Sequence, residues 1–119
     1  MQPRTTLLLV EDDQLVLLHA TMALEDAGYA VVAVPSAEAA LASLHARDDI
    51  AALLTDIELA GEADGIALAH AARAVRPEMP IVVTSGRHAL AENAMPEGGT
   101  FVPKPYTAEQ LRDVLAGAE

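Results

Sequence analysis

The stretch that decides the fold is Thr5-Thr6-Leu7-Leu8-Leu9-Val10-Glu11-Asp12-Asp13, in which an unbroken apolar run stops at three acids. A run of this kind predicts a strand that is buried on both faces, as in the interior of a parallel sheet. Four similar runs follow along the chain, at residues 30–34, 51–55, 81–84 and 100–102. The sequence therefore predicts five buried strands.

Helical patterns lie between these runs, with apolar residues at the spacing i, i+3, i+4, i+7. The stripes are Ala37, Ala40, Leu41 and Leu44; Leu68, Ala71, Ala72 and Val75; and Leu111, Val114 and Leu115. Capping signals agree with them: Gly28 closes the first helix, Ser36 and Asp64 begin the second and third, and Thr107 with Gln110 forms a capping box before the last. Strands that alternate with helices indicate an α/β fold, a doubly wound parallel sheet.

The connection between the fourth and fifth strands leaves room for only a short helix, over residues 87–95. Isolated helices shorter than about 12 residues are marginal, so we expect this segment to be poorly ordered and to respond to events at the site.

The composition narrows the class of protein. A chain of 119 residues fits one domain, which we assign to residues 1–119. The net charge of −11 has the wrong sign for binding a phosphate backbone, which argues against nucleic acid as a partner. No apolar run approaches the roughly 18 residues of a membrane span, so no membrane partner is expected. Because the chain has no cysteine, we exclude disulfides and thiolate chemistry and expect a cytoplasmic location.

Polar side chains stand at the carboxyl ends of the predicted strands, where ligands bind in open parallel sheets. Strand one ends in Glu11-Asp12-Asp13, strand three in Asp56, strand four in Thr84-Ser85 and strand five in Lys104. Carboxylates about 4 Å apart repel by roughly 4 kcal/mol per pair at an effective dielectric near 20, so they need a cation. An all-oxygen site of this kind suits Mg²⁺ or Mn²⁺.

Four segments together resemble the receiver domain of two-component response regulators, and the resemblance covers essentially the whole chain. They are Leu9-Val10-Glu11-Asp12-Asp13, Leu54-Thr55-Asp56-Ile57, Val82-Val83-Thr84-Ser85-Gly86 and Val102-Pro103-Lys104-Pro105-Tyr106. The resemblance implies a (βα)5 flavodoxin-like sheet of strand order 2-1-3-4-5. It also implies a signalling domain rather than an enzyme, which accepts a phosphoryl group from a sensor histidine kinase or a histidine phosphotransfer protein.

The resemblance further implies a role for each matching residue. Asp56 corresponds to the phosphoacceptor and Lys104 to the phosphate-binding lysine, with a cis peptide bond before Pro105. Thr84 and Phe101 correspond to the switch pair. The metal ligands would be Glu11, Asp12, Asp56 and the backbone carbonyl of Glu58. The downstream partner stays open, and we expect a monomer or a weak homodimer.

Two further groups of residues, at the start of the first helix and among the histidines, lie outside these motifs. Gln14, Leu15 and Leu18 follow the acids at the start of the first helix and form a candidate kinase-docking surface, with the alternative that both leucines are core. The histidines lack the i, i+4 pairing of a zinc site, and all four are predicted to be surface residues: His19, His45, His70 and His88.

Alternatives remain at this stage. Glu58 stands two residues after Asp56, the offset of the acid/base carboxylate in hydrolases that form an aspartyl phosphate, although those enzymes also tend to need a cap domain. The loop 59–65 is one residue longer than usual in the family and has Ala60 at its usual proline position. A phosphorylation-dead module would lack Asp56, Thr84 or Lys104, and a flavodoxin-like cofactor protein would have a glycine- or hydroxyl-rich first loop. A receiver cut from a longer regulator competes with a stand-alone receiver, which we favour.

Overall fold

The computed structural model describes residues 4–59, 64–85, 96, 99–104 and 106–117. Within these residues the chain forms five strands and four helices. In order they are β1 (Thr6–Val10), α1 (Gln14–Asp26), β2 (Ala30–Val34), α2 (Ala37–Ala46), β3 (Ile50–Asp56), α3 (Gly65–Val75), β4 (Ile81–Ser85), β5 (Gly99–Pro103) and α4 (Ala108–Gly117).

All five strands are parallel and lie in the order β2-β1-β3-β4-β5, which confirms the predicted fold class and strand order. As predicted, β3 ends at Asp56, and it extends one residue beyond each end of the apolar run 51–55. β3 includes Asp56 because this residue still pairs in register with Thr84 of β4. The Asp56 carboxylate therefore extends from the ordered end of a central strand rather than from the loop beyond it.

Two hydrophobic clusters cover the two faces of the sheet. One face packs against α2 and α3 through residues such as Leu44 and Leu68, and the other packs against α1 and α4 through Leu24 and Leu111. Side chains alternate along each strand, so Leu54 faces α1 and α4 while Leu53 faces α2 and α3. This alternation determines the face on which each functional side chain lies.

The predicted helix boundaries are confirmed by their caps. The side chains of Ser36 and Asp64 accept backbone N–H groups of α2 and α3, at 3.1 and 2.9 Å. Thr107 and Gln110 form a reciprocal capping box at 3.1 and 2.8 Å. Gly28 follows α1 with φ of 104°, a left-handed conformation that side chains other than glycine adopt at a cost.

An arginine closes the opposite end of the sheet, where the strands begin. The Arg76 guanidinium donates to the carbonyl of Leu44 at 2.8 Å, to that of Ile50 at 3.4 Å and also to that of Arg47. These carbonyls belong to the end of α2, the turn after it and the first residue of β3. One side chain therefore supplies hydrogen-bond donors to backbone carbonyls of three segments that meet where the strands begin.

Some expectations fall on residues outside the described part of the chain. These are the short helix over 87–95, His88, Ala60 and the peptide bond before Pro105. His19, His45 and His70 are exposed, as predicted. None of the helices seen in the described ranges has the length and apolar character needed to cross a membrane.

Candidate functional site

Asp56 occupies the centre of the carboxyl edge of the sheet. It ends β3, which lies between β1 and β4, and its side chain shares the face of Leu54, toward α1 and α4. The residue is 8% exposed, so its carboxylate lies in a shallow recess rather than in open solvent. The Glu58 N–H donates to Asp56 Oδ1 at 3.3 Å.

The acidic residues after β1 divide into two roles. Ligand oxygens of Glu11, Asp12 and Asp56 all lie within 4.8 Å of one another. Asp13 points elsewhere: its carboxylate caps α1 by accepting the N–H groups of Leu15 and Val16 at 3.0 and 3.1 Å. Asp13 is therefore the N-cap of α1.

Lys104 connects two of the clustered carboxylates. Its ammonium group lies 3.0 Å from Asp56 Oδ2 and 3.1 Å from Glu11 Oε1, and both acids are buried. Burial by itself would lower the pKa of Lys104, but hydrogen bonds to Asp56 and Glu11 outweigh it and raise the pKa above the ordinary 10.5. The lysine is therefore a full positive charge facing the Asp56 carboxylate.

The predicted switch residues lie on adjacent strands. Thr84 is the register partner of both Asp56 and Val102, while Phe101 pairs with Val83, one residue earlier. The Thr84 hydroxyl donates a long hydrogen bond, 3.4 Å, to the Thr55 carbonyl. Thr84 is buried and Phe101 is partly buried. The hydroxyl thus has only a weak bond to give up if a stronger acceptor forms on Asp56.

Glu58 contacts the end of β4. Ser85 Oγ donates to Glu58 Oε1 at 2.6 Å, a length typical of a charge-assisted O–H···O⁻ bond. The Ser85 carbonyl also accepts the N–H of Lys104 at 2.9 Å, and the Thr84 carbonyl accepts the N–H of Ile57 at 2.9 Å. The segment after Asp56 is therefore attached to β4 by backbone and by side chain. No sequence motif predicts the contact between Ser85 and Glu58.

A glycine allows α3 to begin directly against the backbone of Asp56. A Cβ atom at Gly65 would lie 1.9 Å from the Asp56 carbonyl oxygen and 2.8 Å from Ile57 Cα. The Gly65 N–H also donates to the Ile57 carbonyl at 2.8 Å. No side chain fits at this position, because the backbone of the acceptor strand already fills the space.

Tyr106 is a further residue of the site, and it follows β5 and Lys104 in the chain. It lines a small cavity together with Asp56, Thr84 and Lys104, and Val16 of α1 also contributes to the lining. Burial raises the pKa of Tyr106, Lys104 opposes that rise, and the nearby carboxylates of Glu11 and Asp56 add to it. The phenol is therefore neutral at physiological pH.

The candidate docking residues Gln14, Leu15 and Leu18 are all exposed. Leu15 is 62% exposed and Leu18 is 54% exposed, which contradicts the alternative that these leucines are core. Gln14 is exposed as well. Leu17 and Leu24 instead face the sheet. Helix α1 therefore has a second apolar surface that points into solvent beside the acidic cluster.

The clustered acids fit a divalent cation by their donor atoms. Glu11, Asp12 and Asp56 offer three carboxylate groups within ligand distance of one another, and no softer ligand stands among them. Hard cations such as Mg²⁺ and Mn²⁺ prefer this all-oxygen set. The residues present are thus compatible with the metal expected from the sequence.

The chain matches a known family by sequence and by fold. The family model described as "Response regulator receiver domain" matches residues 7–116, and the chain belongs to this family. It is 32% identical, over its full length, to the C4-dicarboxylate transport transcriptional regulatory protein DctD of Rhizobium meliloti. It is 35% identical over 92% of its length to the response regulator protein FleR of Pseudomonas aeruginosa. The chain spans only 26% and 23% of these two relatives.

A solved structure of similar size gives the same assignment. The chain superposes on a response regulator receiver protein from Sinorhizobium medicae with a TM-score of 0.85 and 36% identity. The alignment covers 97% of this chain and 94% of that one. The chain is therefore a signalling receiver domain by both sequence and fold.

Proposed function

We propose that this receiver domain accepts a phosphoryl group on Asp56, with Mg²⁺ or Mn²⁺ held beside it by Glu11, Asp12, Asp56 and the Glu58 carbonyl. The donor is a phosphohistidine of a sensor kinase or a histidine phosphotransfer protein. The single observation that carries the proposal is the Lys104 ammonium group 3.0 Å from an Asp56 oxygen, within a buried cluster of carboxylates.

The reaction follows from these positions. An Asp56 carboxylate oxygen bonds to phosphorus, and the bond from phosphorus to the histidine nitrogen breaks with its electron pair on that nitrogen. A bound divalent cation would offset negative charge on the transferred oxygens. Lys104 donates to one of those oxygens, and the Thr84 hydroxyl turns from the Thr55 carbonyl to another. Phe101 would move inward into the space that Thr84 leaves.

Partner recognition is a separate part of the proposal. Exposed Gln14, Leu15 and Leu18 lie in the first two turns of α1, directly after the acidic residues, so a partner helix that packs against them would present its phosphohistidine near Asp56. We also propose that the protein is located in the cytoplasm, where a sensor kinase would present its phosphohistidine. The two curated relatives are regulators about four times longer than this chain, so the downstream target is not defined by the receiver itself.

The hydrolase alternative is weaker in this geometry. It would use the Glu58 carboxylate as an acid/base group over Asp56, but that carboxylate accepts the Ser85 hydroxyl at 2.6 Å. Turnover of a small phosphate ester in the presence of Mg²⁺ would separate the two functions. A receiver is expected to gain one phosphoryl group and to show no sustained release of phosphate from an ester.

The central experiment is intact mass measurement after incubation with Mg²⁺ and a small phosphodonor. The wild-type chain should gain one phosphate, and Asp56→Asn should gain none. The matched control is Asp48→Asn, because Asp48 is an exposed acid in the turn before β3. Undiminished labelling of Asp56→Asn, or no labelling of the wild type, would contradict the proposal.

A further inference from the structure

The Glu58 carboxylate is held on the face of the sheet opposite the Asp56 carboxylate. Along β4, Val82 packs with α1 and α4, and Val83 packs with α2 and α3. Alternation then places the Thr84 side chain on the α1/α4 face and that of Ser85 on the α2/α3 face. Asp56 shares the α1/α4 face, and the hydroxyl that binds Glu58 is on the other.

The segment after β3 bends in the same direction. Ile57 and Leu59 pack against the cluster that belongs to α2 and α3. Glu58 lies between them, and its carboxylate meets Ser85 Oγ at 2.6 Å. Ser85 is 4% exposed, so water has little access to compete for this bond. The bond therefore draws the Glu58 carboxylate away from the space above Asp56.

That space matters for the lifetime of a phosphoryl group. In hydrolysis a water oxygen bonds to phosphorus, and the bond from phosphorus to the Asp56 oxygen breaks with its electron pair returning to that oxygen. The attacking water loses a proton in the same reaction. A carboxylate two residues from Asp56 is close enough to accept this proton if its side chain swings toward the acceptor.

We propose that Ser85 acts as a positioning residue that keeps Glu58 from serving as the general base for hydrolysis of the Asp56 phosphate, and so prolongs the phosphorylated state. The proposal rests on the proposed phosphorylation of Asp56. If the bond to Ser85 is lost, the Glu58 carboxylate takes the proton from water and passes it to solvent, and the products are inorganic phosphate and the Asp56 carboxylate.

The test is the rate at which phosphate is lost from the protein after labelling with Mg²⁺ and a small phosphodonor. Once the donor is removed, intact mass is followed in Mg²⁺ buffer. Ser85→Ala should lose phosphate at least about tenfold faster than wild type, since a positioned general base contributes roughly 10²–10⁴-fold. In a Glu58→Gln background, Ser85→Ala should cause no acceleration, because the amide side chain is no base.

Two controls accompany this comparison. Ser43→Ala removes a hydroxyl that bonds only within α2, to the Ala39 carbonyl at 3.0 Å, and should leave the decay rate as in wild type. Ser85→Cys, whose thiol is a weak donor, replaces Ser85→Ala if the alanine variant does not fold, and should accelerate decay in the same Glu58-dependent way. Mg²⁺-dependent thermal melts confirm that each variant is folded.

Each remaining outcome overturns the inference. Unchanged decay in Ser85→Ala means that Glu58 is not released, and slower decay means that Ser85 holds Glu58 in place as a base. Acceleration in both backgrounds means that a smaller side chain merely opens the site to water. Failure of the wild-type protein to gain phosphate at all is a different result, because it contradicts the proposed function itself.

Discussion

Gly65 lies against the carbonyl group of Asp56 so closely that a methyl group at Gly65 would stand 1.9 Å from the Asp56 oxygen. Side-chain atoms do not approach backbone oxygen to this distance, so either α3 or the end of β3 must move to accept any other residue. The position of the acceptor is thus coupled to the first residue of a helix nine positions later in the chain.

Gly65→Ala should therefore lower both stability and phosphorylation. Overpacking of this kind costs about 1–3 kcal/mol in the free energy of unfolding, measured by chemical denaturation. The control is Gly28→Ala, where φ is 104° but nothing lies within 4 Å of the added Cβ. It should cost about 1 kcal/mol in backbone strain and leave phosphate uptake intact. Normal labelling of Gly65→Ala would mean that the contact is easily relieved.

Substitutions of the adjacent acids Asp12 and Asp13 should differ in their effect on the stabilisation by Mg²⁺. A ligand that binds only the folded state at a hundredfold excess over its Kd stabilises it by about 2.7 kcal/mol, so Mg²⁺ should raise the melting temperature of the wild type. Asp12→Ala should lose most of this rise. Asp13→Ala should lose about 1 kcal/mol of basal stability, because Asp13 caps α1, and keep the response to Mg²⁺. The assignment of Asp12 is wrong if both variants respond equally.

Removing the site lysine should weaken the metal-free fold and strengthen metal binding. The Lys104 ammonium group forms ion pairs with the buried carboxylates of Glu11 and Asp56. Lys104→Met removes both ion pairs and should therefore lower the free energy of unfolding by about 1–3 kcal/mol in chelator-treated protein. Mg²⁺ no longer competes with an ammonium group for these oxygens and should bind more tightly, as measured by titration calorimetry. Weaker Mg²⁺ binding in Lys104→Met would show that the lysine supports the metal.

The same pair predicts a dependence on pH. A lysine whose pKa is raised in the folded state stabilises the protein below its unfolded pKa and loses that contribution as pH rises through the folded value. The stability difference between wild type and Lys104→Met, without metal, should be constant near neutral pH and should shrink only above 10.5. A difference that disappears below pH 9 would contradict the ion pair.

The exposed surface of α1 gives a kinetic prediction. Leu15 is 62% exposed, so Leu15→Ala should change stability by no more than about 0.5 kcal/mol. Transfer from a phosphorylated histidine phosphotransfer domain should slow by about tenfold, the effect of losing roughly 1.4 kcal/mol of contact. Labelling by a small phosphodonor should be unchanged. Equal slowing with both donors would mean that Leu15 supports the site rather than the partner.

Much of the fold and of the site follows from local sequence. The five apolar runs predicted the strands, the caps predicted where helices begin, and the rule that parallel strands share a carboxyl edge brought Glu11, Asp56, Thr84 and Lys104 together. The pattern in α1 was insufficient, because apolar residues occupy every position from Leu15 to Leu18 and no single stripe emerges. Only packing shows that Leu17 faces the sheet while its neighbours face solvent.

The missed features are contacts between segments that are distant in sequence. Ser85 and Glu58 are 27 residues apart, and their hydrogen bond depends on which face of β4 each side chain reaches. The second bond of Lys104, to Glu11, spans 93 residues. The role of Gly65 depends on a distance of approach, and a glycine after a capping aspartate gives no sign of what lies beside it.

The Arg76 guanidinium, which binds the carbonyls of Leu44, Arg47 and Ile50, lies at the end of the sheet opposite Asp56. β3 runs the whole way between them, and six steps of about 3.3 Å put the two ends roughly 20 Å apart. At roughly 20 Å, more than twice the screening distance of about 8 Å at physiological salt, the guanidinium charge has only a small effect on the Asp56 carboxylate. Substitution of Arg76 is therefore a way to set how often the domain opens as a whole while the chemistry of the folded domain stays constant.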